Sequence, residues 1–253
     1  MQGRNAALIR RYFPNYRSPK LRYQALLDSI VGRDTTWLEL GCGKRICADE
    51  KLNSELPGRA KFVVGVDLDP HLREHDSIRN LVRCDASALP FRDGAFSLVT
   101  SSFVFEHLER PDAVLGEIAR VCGPGARVVV FTPNLANYGM IVAAATPYRF
   151  HLWYKKIAYF FARGDWTDHD DDMFPTYYRA NTVRRLRKLT DDAAFRVERI
   201  EHVSMAHSFG FIKPLYIASL LFERLIDRRP LEALKADILG VFVRGRVEQG
   251  SRR

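Results

Sequence analysis

Four residues of this 253-residue chain, Glu39, Gly41, Gly43 and Asp67, combine type and spacing in a way that can do chemistry. The apolar run Trp37-Leu38-Glu39-Leu40 breaks into Gly41-Cys42-Gly43. A second run, Val63-Val64-Gly65-Val66, ends in Asp67, 26 residues beyond Gly41. In an open α/β sheet, a strand that breaks into a glycine turn and a following strand that ends in a carboxylate make a nucleoside site at the carboxyl edge. Gly41 and Gly43 let backbone N–H groups approach a ligand where a Cβ would clash, and Asp67 can accept hydrogen bonds from both ribose hydroxyls. Glu39, between two leucines in a buried strand, is costly unless paired or hydrogen-bonded. The pattern points to an adenosine-bearing cofactor.

A dinucleotide suits the turn poorly. Arg45 stands where a dinucleotide fingerprint would supply or approach its third glycine, with Lys44 and Ile46 beside it. Pyrophosphate binding relies on bare backbone at a helix N-terminus, so a cofactor without phosphates fits better.

The order of motifs through residues 34–136 resembles the class I S-adenosylmethionine-dependent methyltransferases, of the type 11 or ubiquinone-biosynthesis kind. The resemblance is carried by Leu38-Glu39-Leu40-Gly41-Cys42-Gly43, Gly65-Val66-Asp67-Leu68-Asp69, Cys84-Asp85-Ala86 with Leu89-Pro90-Phe91, and Phe96-Ser97-Leu98-Val99 running into Phe105-Glu106-His107-Leu108. Val128-Val129-Val130-Phe131 and Thr132-Pro133-Asn134 complete the series. It implies S-adenosyl-L-methionine as cofactor, with Glu39 orienting the methionine end and Gly41, Cys42 and Gly43 lining the site. Asp67 would hold the ribose and Leu68 would pack against adenine. Asp85 and Ala86 would cap the adenine amino group, and Ser101 would sit near the methionine moiety. Two positions depart from the family pattern: Arg45 replaces the usual last glycine, and Ser97 replaces the aspartate of the fourth-strand segment. Asp85 after an apolar strand also suits a turn cap. Ser97 is expected to tie down neighbouring backbone.

His107 is the candidate catalytic residue. It follows the fourth strand at the sheet edge, and imidazole is suited to taking a proton from an acceptor hydroxyl near neutral pH. The matching reaction is in-line displacement on a sulfonium methyl, most simply O-methylation of a small or lipid-like acceptor. Packing of the helix after the fourth strand is the alternative role for His107. Two rival functions are an RNA methyltransferase using a basic face and a non-catalytic S-adenosylmethionine-binding protein.

The elements that must position these residues alternate. A helix near Lys20–Val31 precedes strands near Thr36–Leu40, Lys61–Asp67, Leu81–Cys84, Phe96–Thr100 and Arg127–Phe131, with a helix at Asp112–Val121. Such alternation makes an α/β fold with a doubly wound, mainly parallel sheet. Phe195–Val203, a helix near Leu215–Ile226 and a strand near Ile238–Arg244 would complete seven strands, the last antiparallel in the resembled family. The expectation is a single domain over 1–253, with a cofactor-binding core at 34–136, a helical and aromatic insertion at 137–194, and closing elements at 195–253.

The formal charge of +9 invites an anionic partner. Arg179, Arg184, Arg185, Arg187 and Lys188 cluster on a helix expected to start at Asn181-Thr182, where either residue can cap; a solvated helix face is the simpler reading. The insertion supplies aromatics, among them Trp153, Tyr154, Tyr159 and Trp166, with Arg149, Lys155, Lys156 and Arg163. These could line an apolar pocket, form a lid that buries itself, or give the 138–166 region peripheral contact with a membrane. The run Asp168-His169-Asp170-Asp171-Asp172 lacks regular ligand spacing, so no metal is expected. Cys42, Cys47, Cys84 and Cys122 show no paired metal-ligand spacing and read as reduced thiols. Arg4, Arg10, Arg11, Arg17, Lys20 and Arg22 precede the first acid, Asp28, without a following apolar run, so the expected setting is cytoplasmic or peripheral to a membrane.

Overall fold

The computed structural model describes residues 2–145, 174–205 and 213–245. Its seven strands are β1 (Thr36–Leu40), β2 (Phe62–Asp67), β3 (Leu81–Arg83), β4 (Phe96–Ser102), β5 (Cys122–Pro133), β6 (Phe195–Val203) and β7 (Asp237–Arg244). They form one sheet in the order β3-β2-β1-β4-β5-β7-β6. β1 lies parallel to both β2 and β4, β2 to β3, and β4 to β5. The order therefore turns around between β1 and β4, and a crevice outside the carboxyl ends of the strands at such a switch point is where open α/β sheets bind ligands.

The helices are α1 (Gln2–Tyr12), α2 (Pro19–Ile30), α3 (Glu50–Arg59), α4 (Pro111–Val121), α5 (Tyr138–Ala145), α6 (Val183–Asp192) and α7 (Lys213–Ile226). α4 starts on Pro111, whose missing N–H costs nothing at a helix start, and buries Val114, Leu115, Ile118 and Val121. Those side chains join Leu38, Leu40, Val64, Val66 and Val99 of the strands, and Leu186 and Leu189 of α6, in one apolar core. Trp37 and Glu39 alternate with Leu38 and Leu40 and so point to the opposite sheet face. There Tyr23 of α2 stacks on Phe131 of β5, with ring centroids 5.4 Å apart. Thr182 caps α6 by accepting from the Arg185 N–H at 3.2 Å.

The described residues divide into two compact units. One holds 20–133, 176–201 and 238–245, and carries most of the sheet. The other holds 2–19, 134–145, 174–175, 202–205 and 213–237, where Tyr216 and Leu220 of α7 pack with Leu8, Ile9 and Tyr12 of α1. The insertion expected at 137–194 is thus shared between the two units.

Three elements go beyond the sequence reading. α3 is capped by Asp49, which accepts from the Leu52 N–H at 2.8 Å, but Pro57 and Gly58 near its end mask the helical pattern. α5 is a short uncharged helix. β5 starts at Cys122, well before the expected Arg127, because Phe96 pairs with Cys122 and a register shift between Phe96 and Leu98 absorbs the glycines. The aromatic cluster at 148–166, the acidic run 168–172 and the cations among them lie outside the described residues.

Candidate cofactor and active site

The turn after β1 is built by hydrogen bonds to β2. The Gly41 and Cys42 N–H groups both donate to the Val66 carbonyl, at 2.8 and 3.1 Å. The Gly43 N–H donates to Asp67 Oδ2 at 2.8 Å, and the Asp69 N–H to Oδ1 at 3.0 Å. Asp67 is therefore oriented by two backbone donors, one on each oxygen, and each oxygen keeps a lone pair for a further donor such as a ribose hydroxyl. Gly41 and Gly43 take left-handed backbone, with φ of +67° and +50°. A Cβ on Gly41 would lie 2.2 Å from a methyl of Val104, so the side chain following β4 closes directly over the turn.

Cys42 turns inward. Its side chain is buried, and a Cβ on Gly65 would lie 2.8 Å from its Sγ, which explains a glycine inside a buried strand. Burial, with Asp67 and Glu39 nearby, pushes the Cys42 thiol up to about 12. Cys42 thus offers backbone rather than sulfur to a ligand. Arg45 leaves the turn uncrowded: its guanidinium reaches outward to Asp76 at 2.9 Å, while Lys44 pairs with Glu74 at 3.2 Å.

Glu39 is 2% exposed. The Thr100 hydroxyl donates to its Oε2, and the Trp37 indole N–H donates to Thr100 Oγ1 at 2.5 Å. Burial outweighs these donors and raises the Glu39 carboxyl to about 8. No cation figures among the described groups that act on it. The neighbouring Tyr23 hydroxyl is buried, and its phenol is pushed up by burial and by Glu39, with Thr100 opposing the rise. A ligand ammonium beside Glu39 would supply the missing positive charge.

At the ends of β2 and β3, Leu68 is half exposed, as a platform for an aromatic base requires. Asp85 is exposed and caps its own turn by accepting from the Ser87 N–H at 2.7 Å; Ala86 beside it is half-buried. Ser101 at the end of β4 is 1% exposed, and its hydroxyl has no partner. Ser97, at the other end of β4, accepts from the Thr36 N–H at 3.0 Å and so joins β4 to β1, the tying role expected of it.

His107 ends a short 3-10 turn, Phe105–His107, and is half-buried. The turn is anchored through Glu106, whose carboxylate accepts from the Thr132 hydroxyl at 3.1 Å; Thr132 in turn accepts from the Asn181 amide at 2.7 Å. The Glu106 carbonyl takes the N–H groups of Tyr177 and Tyr178, at 2.8 and 3.1 Å. Burial raises the Glu106 carboxyl, and His107 opposes the rise. Phe103, between β4 and this turn, has φ of +56°, which is costly for a bulky residue, and its 37%-exposed ring packs edge-on against Phe131. Sequence reasoning missed Tyr23, Thr100, Phe103, Thr132 and Asn181. Thr100 was accessible in principle as the parallel partner of Glu39, while the Phe103 conformation has no signal in residue type.

A depression of about 370 Å³ lies at the amino ends of β1 and β4, lined by Arg33, Asp34, Ser97 and Arg127. It lies at the far strand ends from the glycine turn and from Asp67. Among the described residues no His, Cys, Asp and Glu cluster is arranged to hold a metal.

Residues 38–130 match the methyltransferase domain model Methyltransf_11. A demethylmenaquinone methyltransferase of Thermus thermophilus is 40% identical over 101 residues, 36% of this chain and 45% of that protein. A probable S-adenosylmethionine-dependent methyltransferase of Mycolicibacterium smegmatis is 32% identical over 127 residues, 49% and 47% of the two chains. This chain spans just under half the length of these curated relatives. Among solved structures, a putative methyltransferase in complex with the Haloferax volcanii Trm112 methyltransferase activator superposes with a TM-score of 0.55 at 17% identity, over 96% of this chain and 94% of the other. That likeness is one of fold.

Proposed function

We propose that this chain, whose residues 38–130 match a methyltransferase domain model, is a class I S-adenosylmethionine-dependent methyltransferase that methylates a small or lipid-like acceptor, with an acceptor oxygen as the first choice. The observation that carries the reading is the carboxyl-edge trio of a left-handed glycine turn, a ribose-competent Asp67 and a buried Glu39 lacking a counter-charge. S-adenosyl-L-methionine matches each part: Asp67 would hold its ribose diol, Leu68 its adenine and Glu39 its amino group. Asp85, Ala86 and Ser101 stand at the ends of the adjoining strands.

When bound, S-adenosylmethionine supplies an electrophilic methyl on a sulfonium, already a good leaving group, so the protein contributes alignment, water exclusion and proton removal. His107 is the proposed base. As an acceptor oxygen took the methyl and the methyl–sulfur bond broke to leave a neutral thioether, His107 would take the proton of the acceptor hydroxyl. The buried Glu106 carboxylate keeps that turn fixed through Thr132. The relatives named for demethylmenaquinone make quinone-type acceptors the first class to screen. Residues 34–136 act in this reading as the cofactor core and 137–194 as the segment that selects the acceptor.

Calorimetric titration with S-adenosylmethionine and S-adenosylhomocysteine, with NAD as control and Asp67→Ala as matched variant, tests the cofactor. Micromolar binding to the first two, lost in the variant, is expected; equal or tighter NAD binding overturns the reading. Methyl transfer to quinone precursors and lipid extracts then tests the acceptor, and His107→Ala tests the base. Unchanged turnover by that variant removes His107 from the chemistry. An RNA methyltransferase is the second reading, favoured by the exposed Arg184, Arg185, Arg187 and Lys188 of α6. It requires polynucleotide binding that weakens steeply with salt.

A further inference from the structure

The helix α7 buries one face and leaves a second apolar face uncovered. Tyr216, Leu220, Glu223 and Ile226 point inward. On the outward side stand Leu215, Leu221, Phe222 and Leu225, 42%, 48%, 38% and 47% exposed, with Ala218 between them. Positions 218, 221, 222 and 225 repeat at the three- and four-residue spacing that makes a continuous stripe along a helix. A nearby apolar surface widens it: Tyr138 of α5 packs edge-on against Phe222, and Ile141 of the same uncharged helix is 52% exposed.

The exposed charges on α7 itself have one sign. The acid on α7, Glu223, is turned inward, 1% exposed, and accepts from the Tyr138 hydroxyl at 2.7 Å. Lys213 and Arg224 are exposed, and their eleven-residue separation puts them within about 20° of each other on one flank of the stripe. Arg228 and Arg229 follow the helix after Asp227, which is paired with Lys235 at 2.8 Å, and α1, which packs against α7, carries exposed Arg10 and Arg11 with no acid along its length. An apolar helical face flanked by cations is the pattern that lies in a membrane interface, with hydrocarbon below the stripe and anionic headgroups at the basic flank. Among the described residues no helix is long and apolar enough to cross a bilayer.

We infer that the outward face of α7, through Leu221, Phe222 and Leu225 with Arg224 at its flank, docks on an anionic lipid surface. This goes beyond the methyl-transfer reading and stands without it, since none of these residues belongs to the cofactor site. A second copy of the chain suits the face less well, because self-association would bring Arg224 and its neighbours into the same contact as their own duplicates.

The test is flotation of the full chain with vesicles of phosphatidylcholine, with and without phosphatidylglycerol, for the wild type, the double variant Leu221→Asp with Leu225→Asp, and Arg224→Glu. Binding to the anionic vesicles at low salt is expected, with a loss of about tenfold or more in the double variant and a smaller loss in Arg224→Glu and at high salt. S-adenosylmethionine binding by both variants is expected to stay unchanged, which shows that they fold and separates this test from that of the cofactor site. No flotation at low salt, or flotation that survives the double variant, overturns the inference. A dimer seen by light scattering that the double variant dissociates assigns the face to a second copy and likewise overturns it.

Discussion

Glu39 and Glu106 are two buried carboxylates at the carboxyl edge of one sheet, each accepting from a threonine hydroxyl and each raised above the ordinary carboxylate range by burial. Their surroundings differ in what completes them. Glu106 has an imidazole next to it, and its backbone carbonyl receives the two N–H groups of the Tyr177-Tyr178 turn. Glu39 has Thr100, the indole behind it and the buried Tyr23 phenol, but no cation among the described groups that act on it. Burial by itself therefore does not separate the two carboxylates. The missing counter-charge does, because an ionised group in an apolar site is tolerated only when a positive partner arrives.

The largest effect that can break this comparison is on cofactor affinity. Glu39→Gln keeps the shape and removes the charge, so a ligand ammonium loses its buried partner, at a cost of about 2–5 kcal/mol in binding. Glu106→Gln should leave S-adenosylmethionine affinity within about threefold, since that carboxylate anchors a turn. Calorimetry on the two variants checks both. Equal losses would mean that Glu106 also faces the cofactor.

A smaller effect, with a definite sign, is the pH dependence. Between the ordinary value of 4.5 and about 8, free folded protein holds a proton on Glu39. Pairing with an ammonium requires the ionised form, so binding in that window releases a proton. Affinity should rise with pH toward about 8 and then level off, and the measured enthalpy should vary with the ionisation heat of the buffer. Glu39→Gln should flatten this profile. Stability runs the other way: the folded chain holds a proton that the unfolded chain has lost, so the stability this contributes is complete below 4.5 and is lost as pH rises to about 8. The Tm of Glu39→Gln relative to the wild type should therefore increase across the same window.

The same contrast measures what was legible in the residues. The strand, glycine and carboxylate periodicities marked the β1 and β2 region closely: β1 and β6 have the expected ends, and Gly43 and Asp67 meet at one turn just beyond Glu39. These features are local, since a glycine break or a strand-end carboxylate is a property of a short segment. Arg45 looked like an obstruction because a sequence does not tell where a long side chain points, and Asp76 draws it outward. The Thr132–Asn181 link to Glu106 spans 49 and 26 residues and depends on how the chain returns to the sheet. Phe103 shows the same limit, because its left-handed backbone is imposed by its surroundings against its own preference.

The finest test exchanges the two threonines. Thr132→Val removes a hydroxyl that donates to Glu106 and accepts from Asn181, leaving two buried polar groups short of a partner. The Asn181 amide keeps the Pro133 carbonyl at 3.1 Å, so the loss should be modest, about 1–2 kcal/mol in urea unfolding, with cofactor affinity nearly unchanged. Thr100→Val removes the donor that favours the ionised form of Glu39, so its carboxyl should rise further, and the pH at which cofactor affinity levels off should move above that of the wild type. The two variants are equal in shape and differ in which carboxylate they disturb. If Thr132→Val shifted the pH profile of binding and Thr100→Val did not, Glu106 would be the carboxylate that meets the cofactor ammonium, and the roles assigned to the two residues would have to be exchanged.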